Sequence, residues 1–230
     1  LPGDPFLADG ATPGATGIIG QALDLNGDND SIRSYRINPV LTPENGGLTI
    51  SFWINTNSVQ NEGEKLFDFG GGVFMRYYNG DLQPVFGGSS GNATTLDSNV
   101  NDGQWHHVVA KNDGAGTTSL FIDGTLLGTQ SETLFDLASL NNTAAIGASY
   151  DGTTENLNAL FDDFAVWQRE LSKAEIQVIY REGINGLSFN AEPLLANTSF
   201  EAADGFTGFT EGFTSDLGTV VDGDGVTWTE

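Results

Sequence analysis

Apolar residues recur at every second position along part of this chain, the period expected when one face of a strand is buried and the other is not. Leu48, Ile50, Phe52 and Ile54 mark one face of a strand over Leu48–Asn55. Comparable extended runs cover Gln21–Leu25, Ser31–Ile37, Lys65–Phe69, Val73–Tyr78, Leu82–Phe86, Trp105–Lys111 and Ser119–Ile122. Asn79-Gly80 and Asp123-Gly124 stand between such runs. A two-residue hairpin turn needs positive φ at both positions, which Asn, Asp and Gly tolerate, so each pair predicts a tight hairpin.

The pattern changes after Leu171. Ser172 is placed to cap a helix, Glu175 completes a capping box, Leu171 is placed to staple against Ile176, and Gly183 reads as a C-terminal stop. Many strands joined by turns, with helix confined to about residues 172–182, predict an all-β chain: an antiparallel β-sandwich of jelly-roll type with one short C-terminal helix. Trp53, Trp105 and Trp167 each sit within a strand and are expected in the core.

With 230 residues, one large domain and part of a second are accommodated. Residues 1–16, rich in Pro and Gly, read as an extended lead-in with a processed or trimmed start, and residues 17–189 as the sandwich. Residues 190–230 form an acidic, aromatic tail or the start of a second β module. That tail carries Phe200, Phe206, Phe209, Phe213 and Trp228 but is too short to bury them within itself. They are therefore the candidate assembly residues, expected to dock on the chain's own sandwich or to pair with the open sheet edge of a neighbour.

The formal charge of −23, from 31 acidic against 8 basic residues, repels phosphate backbones and anionic lipid heads, so nucleic acid and membrane surfaces are poor partners. No run approaches the ~20 apolar residues that a membrane-spanning helix needs. The absence of cysteine excludes disulfides and thiolate metal sites. The two histidines, His106 and His107, are neighbours on a strand and face opposite ways, which prevents them from chelating one ion together. One is expected inside and the other exposed. The loop 26–30 (NGDND), by contrast, offers the dense oxygen donors that calcium requires through Asn26, Asp28 and Asp30. DGDG at 222–225 is a second, weaker calcium candidate.

The segments ALDLNGDNDSI (22–32), LTISFWINT (48–56), DGQWHHVV (102–109), FIDGTLLG (121–128), AIG (145–147) and FDDFAVWQRELSKAEI (161–176) occur in an order and spacing that resembles the laminin-G-like and pentraxin-like branch of the concanavalin A-like lectin/glucanase superfamily, over about Gly17–Ile184. The resemblance implies that the early loop lies near the closing strand, so that Asn26, Asp28, Asp30, Asp162 and Asp163 would share a calcium ion. By analogy with lectin loops, Tyr77, Tyr78 and Tyr150, with the polar loops 87–101 and 148–158, become the candidate ligand-binding residues. Members that hydrolyse glucans carry Glu-x-Asp-x-x-Glu on one strand, and this chain has no such string. The expectation is a non-catalytic binding or adhesion module of a larger secreted or surface protein, extracellular and prokaryotic, stabilised by calcium and binding a glycan or an extracellular protein. The alternatives are a structural subunit whose tail pairs with a neighbour and, third, a glycan-active enzyme.

Overall fold

The computed structural model describes residues 6–34, 47–57, 63–70, 72–87, 95–132 and 143–187, together with the pairs 195–196, 210–211, 220–221 and 227–228. One sheet has six strands in the order β1 (Phe6–Asp9), β4 (Ser31–Ser34), β12 (Ala144–Ile146), β6 (Lys65–Asp68), β7 (Phe74–Tyr78) and β8 (Asp81–Val85). The second runs β11 (Thr125–Ser131), β10 (Thr117–Ile122), β9 (Trp105–Asn112), β5 (Leu48–Asn55) and β13 (Asn158–Trp167). The far edge of β13 is shared. β3 (Gln21–Asn26), itself paired with β2 (Thr12–Thr16), takes Asn158–Phe161. From the tail, β14 (Leu195–Ala196) takes Ala165 and Val166 and is followed by β15 (Thr210–Glu211), while β16 (Val220–Val221) and β17 (Thr227–Trp228) pair only with each other. Every pairing between these strands is antiparallel.

Both expected hairpin turns form. Asp123 and Gly124 have φ of 51° and 72°, and Asn79 and Gly80 have 54° and 83°, the left-handed pair that lets two twisted strands turn in two residues. Between the sheets lies the main core. Phe52 stacks on Phe161 at 4.7 Å between centroids and meets Phe67 edge-on at 6.1 Å, with Leu23, Leu25, Ile50, Ile54, Leu66 and Val166 packed around them. Each fully buried side chain of this size contributes about 1.5–3 kcal/mol relative to exposure.

Strand β5 is buried on its other face as well, where a second layer covers the sheet. The helix α1 (Lys173–Ile184) lies there, its Ile176 and Ile179 packed with Val109, Phe121, Ala165, Trp167 and Leu171. Its start is as expected: the Ser172 side chain accepts from Glu175 N, and the Glu175 carboxylate accepts from Ser172 N. Its end is not. Gly183 is within the helix rather than past it, and the cap falls to Asn185 with Gly186 at φ 71°. A side-chain atom on Gly183 would lie 2.5 Å from Trp53 Cζ2, so glycine is there to let the helix backbone approach the indole. Trp53 and Trp167 are accordingly buried, but on the helix-covered face of the nine-stranded sheet and not between the sheets; Trp105 is only half-buried.

Gly183→Ala is a substitution that normally favours a helix by nearly 1 kcal/mol. Here it is expected to lower stability by about 1–3 kcal/mol, because the methyl must displace Trp53; chemical denaturation of the two proteins, compared at equal m-value, measures it.

Candidate functional site: an aromatic and cationic face on the six-stranded sheet

Strand β7 reads Phe-Met-Arg-Tyr-Tyr, and its alternation sorts it cleanly. Met75 and Tyr77 point into the core, whereas Phe74, Arg76 and Tyr78 are half-buried on the opposite, outer face of the sheet. Register then brings neighbours alongside. Lys65 of β6 and Gln83 of β8 both lie directly across from Arg76, and Asp68 lies across from Phe74. Residues directly opposite share a face, so side chains from three strands converge here.

Cations and rings alternate along this face. Lys65 Nζ sits 3.4 Å from the centroid of the Phe74 ring, and the Arg76 guanidinium carbon is 5.8 Å from Phe74 and 4.8 Å from Tyr78. These are favourable cation–π distances, worth about 0.5–2 kcal/mol each depending on exposure. Lys65 is further held by Asp68 Oδ2 at 3.1 Å and Glu155 Oε2 at 3.7 Å, and Asp68 Oδ1 accepts from Gly70 N at 2.8 Å. Arg76 Nε donates to Gln83 Oε1 at 2.8 Å. Three of the eight basic residues of the chain, Arg33, Lys65 and Arg76, belong to this sheet.

The three candidate tyrosines separate. Tyr78 is on this face. Tyr150 is 41% exposed in the loop at its rim, which is tied down where Arg33 Nη1 donates to Asp151 O at 2.9 Å and Lys65 N donates to Glu155 O at 2.9 Å. Tyr77 is a correction: its ring is wholly buried in the core and presents nothing to a ligand. Burial, then the Glu64 carboxylate, push its hydroxyl far above the ordinary value. Residues 88–94 of the other polar loop lie outside the described residues. Phe74, Arg76, Lys65 and Gln83 went unread in the sequence. The signal for the first two was the period of two in FMRYY; the other two required the register of neighbouring strands.

The histidines face opposite ways, one inside as expected, while the other is half-buried rather than exposed. His107 is fully buried against Trp53 and Tyr180, its Nε2 2.7 Å from Ser51 Oγ, and burial pushes its pKa down to about 3. His106 sits at the sheet end, Nδ1 2.8 Å from Asp123 Oδ2 and Nε2 3.1 Å from Asp102 Oδ1. Burial pulls its pKa down, but the hydrogen bonds to Asp123 and Asp102 outweigh this and raise it. His106 thus ties the 102 loop to the hairpin turn.

The five residues proposed for calcium do not meet. Asn26 pairs with Asn158, so the 26–30 loop lies beyond that end of β13, whereas Asp162 is four residues further along, ~13 Å away at strand rise. Calcium ligands lie at about 2.3–2.6 Å from the ion and so within about 5 Å of one another. Two of the carboxylates, Asp162 and Asp30, have other work. Asp162, fully buried, accepts from Ile18 N and Ile19 N at 2.9 and 3.1 Å, anchoring the chain where neither β3 nor β14 pairs with β13. Asp30 Oδ2 accepts from Asn26 N at 3.1 Å, and Asn26 Oδ1 accepts from Asp28 N at 2.7 Å. Asp163 lies at φ 54° in the bulge, and burial, then the neighbouring Asp162, raise its pKa to about 8. Among the described residues no three His, Cys, Asp or Glu side chains are grouped to hold a metal; 222–225 lie outside them. So do Phe200, Phe206, Phe209 and Phe213, while the backbone of Trp228 pairs with Val220.

A family model described as the concanavalin A-like lectin/glucanases superfamily matches residues 26–177, more than half of the chain. The chain belongs to this superfamily. No curated protein sequence matches it. Solved structures similar to this superfamily member include the botulinum neurotoxin serotype D binding domain, with 22% identity and a TM-score of 0.60 over 76% of this chain and 46% of that one. Botulinum neurotoxin type C, whose cell entry is described as dependent on two ganglioside molecules, matches at 15% identity and TM-score 0.58 over 77% and 46%. The binding domain of botulinum neurotoxin DC in complex with rat synaptotagmin II matches at 16% and 0.58 over 77% and 46%. This superfamily member thus spans less than half of each of those chains, and at these identities the likeness is one of fold.

Two outcomes are expected from the paired aspartates. Asp162→Ala strands the N–H groups of Ile18, Ile19 and Asp163 and is expected to lower stability by roughly 3 kcal/mol, equally in calcium and in chelator; a loss confined to calcium-containing buffer in thermal melts would restore the shared ion site. Asp163 holds its proton in the folded state up to pH about 8 and loses it near 3.8 when unfolded. The folded state therefore binds more protons across that window, and the stability this gives at low pH is lost as pH rises through it. Asp163→Asn, which tolerates the same left-handed backbone, should melt higher than the parent above pH ~8 and converge with it near pH ~4.

Proposed function

We propose that this chain is a non-catalytic, extracellular binding module that recognises carbohydrate through the outer face of the six-stranded sheet. The observation that carries the reading is the arrangement of Phe74, Arg76 and Tyr78 beside Gln83 and Lys65. Sugar rings present apolar faces and a rim of hydroxyls, and a site for them needs aromatic surface next to fixed hydrogen-bonding groups. Half-buried rings flanked by a guanidinium that the buried Gln83 amide holds in place supply both. Tyr150 at the rim adds a further exposed ring. Support for a binding role comes from the structural neighbours, which are binding domains of larger toxins, two of them named for ganglioside or synaptotagmin interaction. Among the described residues this face carries the carboxylates Asp68 and Glu155, both engaged by Lys65, and Asp81, which lies across from Tyr78 and accepts from Ser98 N at 3.0 Å; each is held by a neighbour, which favours binding over glycoside hydrolysis.

The extracellular setting is supported by the acidic, cysteine-free composition and by the lectin-like fold, and no helix among the described residues is long and apolar enough to cross a membrane. The reading does not call on calcium: among the described residues no three His, Cys, Asp or Glu side chains are grouped to hold a metal.

A glycan array probed with the full chain, with and without calcium, followed by calorimetry on the hits, tests the proposal. Tyr78→Ala is expected to weaken binding about tenfold or more, whereas Tyr77→Phe, one residue away but inside the core, should bind as the parent does. Glycan binding that survives Tyr78→Ala, or a protein ligand in place of any glycan, would overturn it.

A further inference from the structure

The same face specifies the charge of its ligand. This step rests on the carbohydrate-binding reading above and narrows it. In a chain with 31 acidic residues and 8 basic ones, four of the described lysines and arginines are paired with a carboxylate. Lys65 is paired with Asp68 and Glu155, Lys111 with Glu170, Arg169 with Glu175 and Arg181 with Glu182. Arg76 is held differently. Its Nε donates to Gln83 Oε1 at 2.8 Å, its guanidinium carbon lies 4.8 Å from the Tyr78 ring and 5.8 Å from Phe74, and among the described residues it has no carboxylate partner. Neither of its terminal nitrogens is a buried, unsatisfied atom.

The ring contact fixes where the guanidinium lies, and the bond to Gln83 fixes its rotation in plane. What remains is a planar fork of N–H donors whose orientation is set before any ligand arrives. Such a fork matches the two oxygens of a carboxylate or sulfate in a bidentate pair, and rings hold it there with little further loss of side-chain freedom on binding. We infer that the ligand is a glycan bearing a carboxylate or sulfate group, with Arg76 receiving that group and Tyr78 positioning the arginine. The net charge of −23 adds a constraint of size. It repels an extended polyanion at long range, whereas a single acidic unit in an otherwise neutral chain meets mainly the local field of Arg76, since Lys65 is already paired with Asp68 and Glu155.

The test uses calorimetry with the full chain and four probes: a short uronic acid oligosaccharide, a sulfated oligosaccharide of similar length, a neutral counterpart of the same backbone, and inorganic sulfate. At least one acidic sugar is expected to bind tenfold or more tighter than the neutral one. Arg76→Gln should remove that preference and Arg76→Lys should remove most of it, since an ammonium keeps the charge but lacks the fork. Unchanged melting temperature and circular dichroism confirm that each variant is folded. Which acidic probe is preferred separates carboxylate from sulfate. Equal binding of acidic and neutral sugars, unaffected by Arg76→Gln yet lost in Tyr78→Ala, would overturn this inference while leaving the carbohydrate reading intact. Binding of inorganic sulfate as tightly as the sulfated sugar would overturn it as well. Failure of every sugar to bind would remove both.

Discussion

Strand β5 is withdrawn from water on both faces, and the layering of the molecule follows from that. Leu48, Ile50, Phe52 and Ile54 enter the space between the sheets, while Ser51 and Trp53 face the other way and must also be covered. A sandwich alone buries only inner faces, so a third layer is required, and the helix supplies it. Trp53 stacks against Tyr180 at 5.7 Å and against the buried ring of His107 at 5.0 Å, with the backbone of Gly183 closing over the indole. The outer face of the six-stranded sheet carries Phe74, Arg76 and Tyr78 half-buried side by side.

The bulge in β13 shows how an interruption in a sheet is put to use. Pairing with β5 shifts register between Asp162 and Ala165, and on the other edge β3 ends at Phe161 where β14 begins at Ala165. The uncovered stretch would leave backbone N–H groups of the nearby loop without acceptors. Asp162 fills the gap as an acceptor for Ile18 and Ile19, and its carboxylate therefore serves as a strand would. The neighbouring Asp163 is forced into the left-handed region and made reluctant to ionise. Two adjacent acids, which in sequence look like metal ligands, are put to different use by a single interruption of the sheet.

Much of the fold was legible because its determinants are local. Period two located the strands, Asn79-Gly80 and Asp123-Gly124 located hairpins, and Ser172 with Glu175 located the helix start. What was not legible depends on which strands become neighbours. Gly183 reads as a helix stop until Trp53, 130 positions earlier, is known to lie beneath it. The calcium cluster failed for the same reason: Asn26 and Asp162 belong to adjacent strands, and only the register reveals that they are at opposite ends of the paired segment. Tyr77 and Tyr78 are indistinguishable in composition, and one residue of register decides which is core and which is surface.

The candidate site illustrates the same dependence at the level of chemistry. An arginine between two aromatic residues on a strand is a common pattern, and by itself says only that a cation and two rings share a face. Its meaning comes from β6 and β8. Lys65 lies across from Arg76 on one side and brings its own carboxylates, so the lysine is satisfied within the sheet. Gln83 lies across on the other side and offers an amide oxygen, which orients the guanidinium without neutralising it. Had an aspartate stood at position 83, the arginine would be an ordinary surface ion pair, worth little and available to nothing. A neutral acceptor in a chain otherwise crowded with acids leaves Arg76 oriented and charged, and that difference turns a patch of sheet surface into a site with a preference for one kind of ligand.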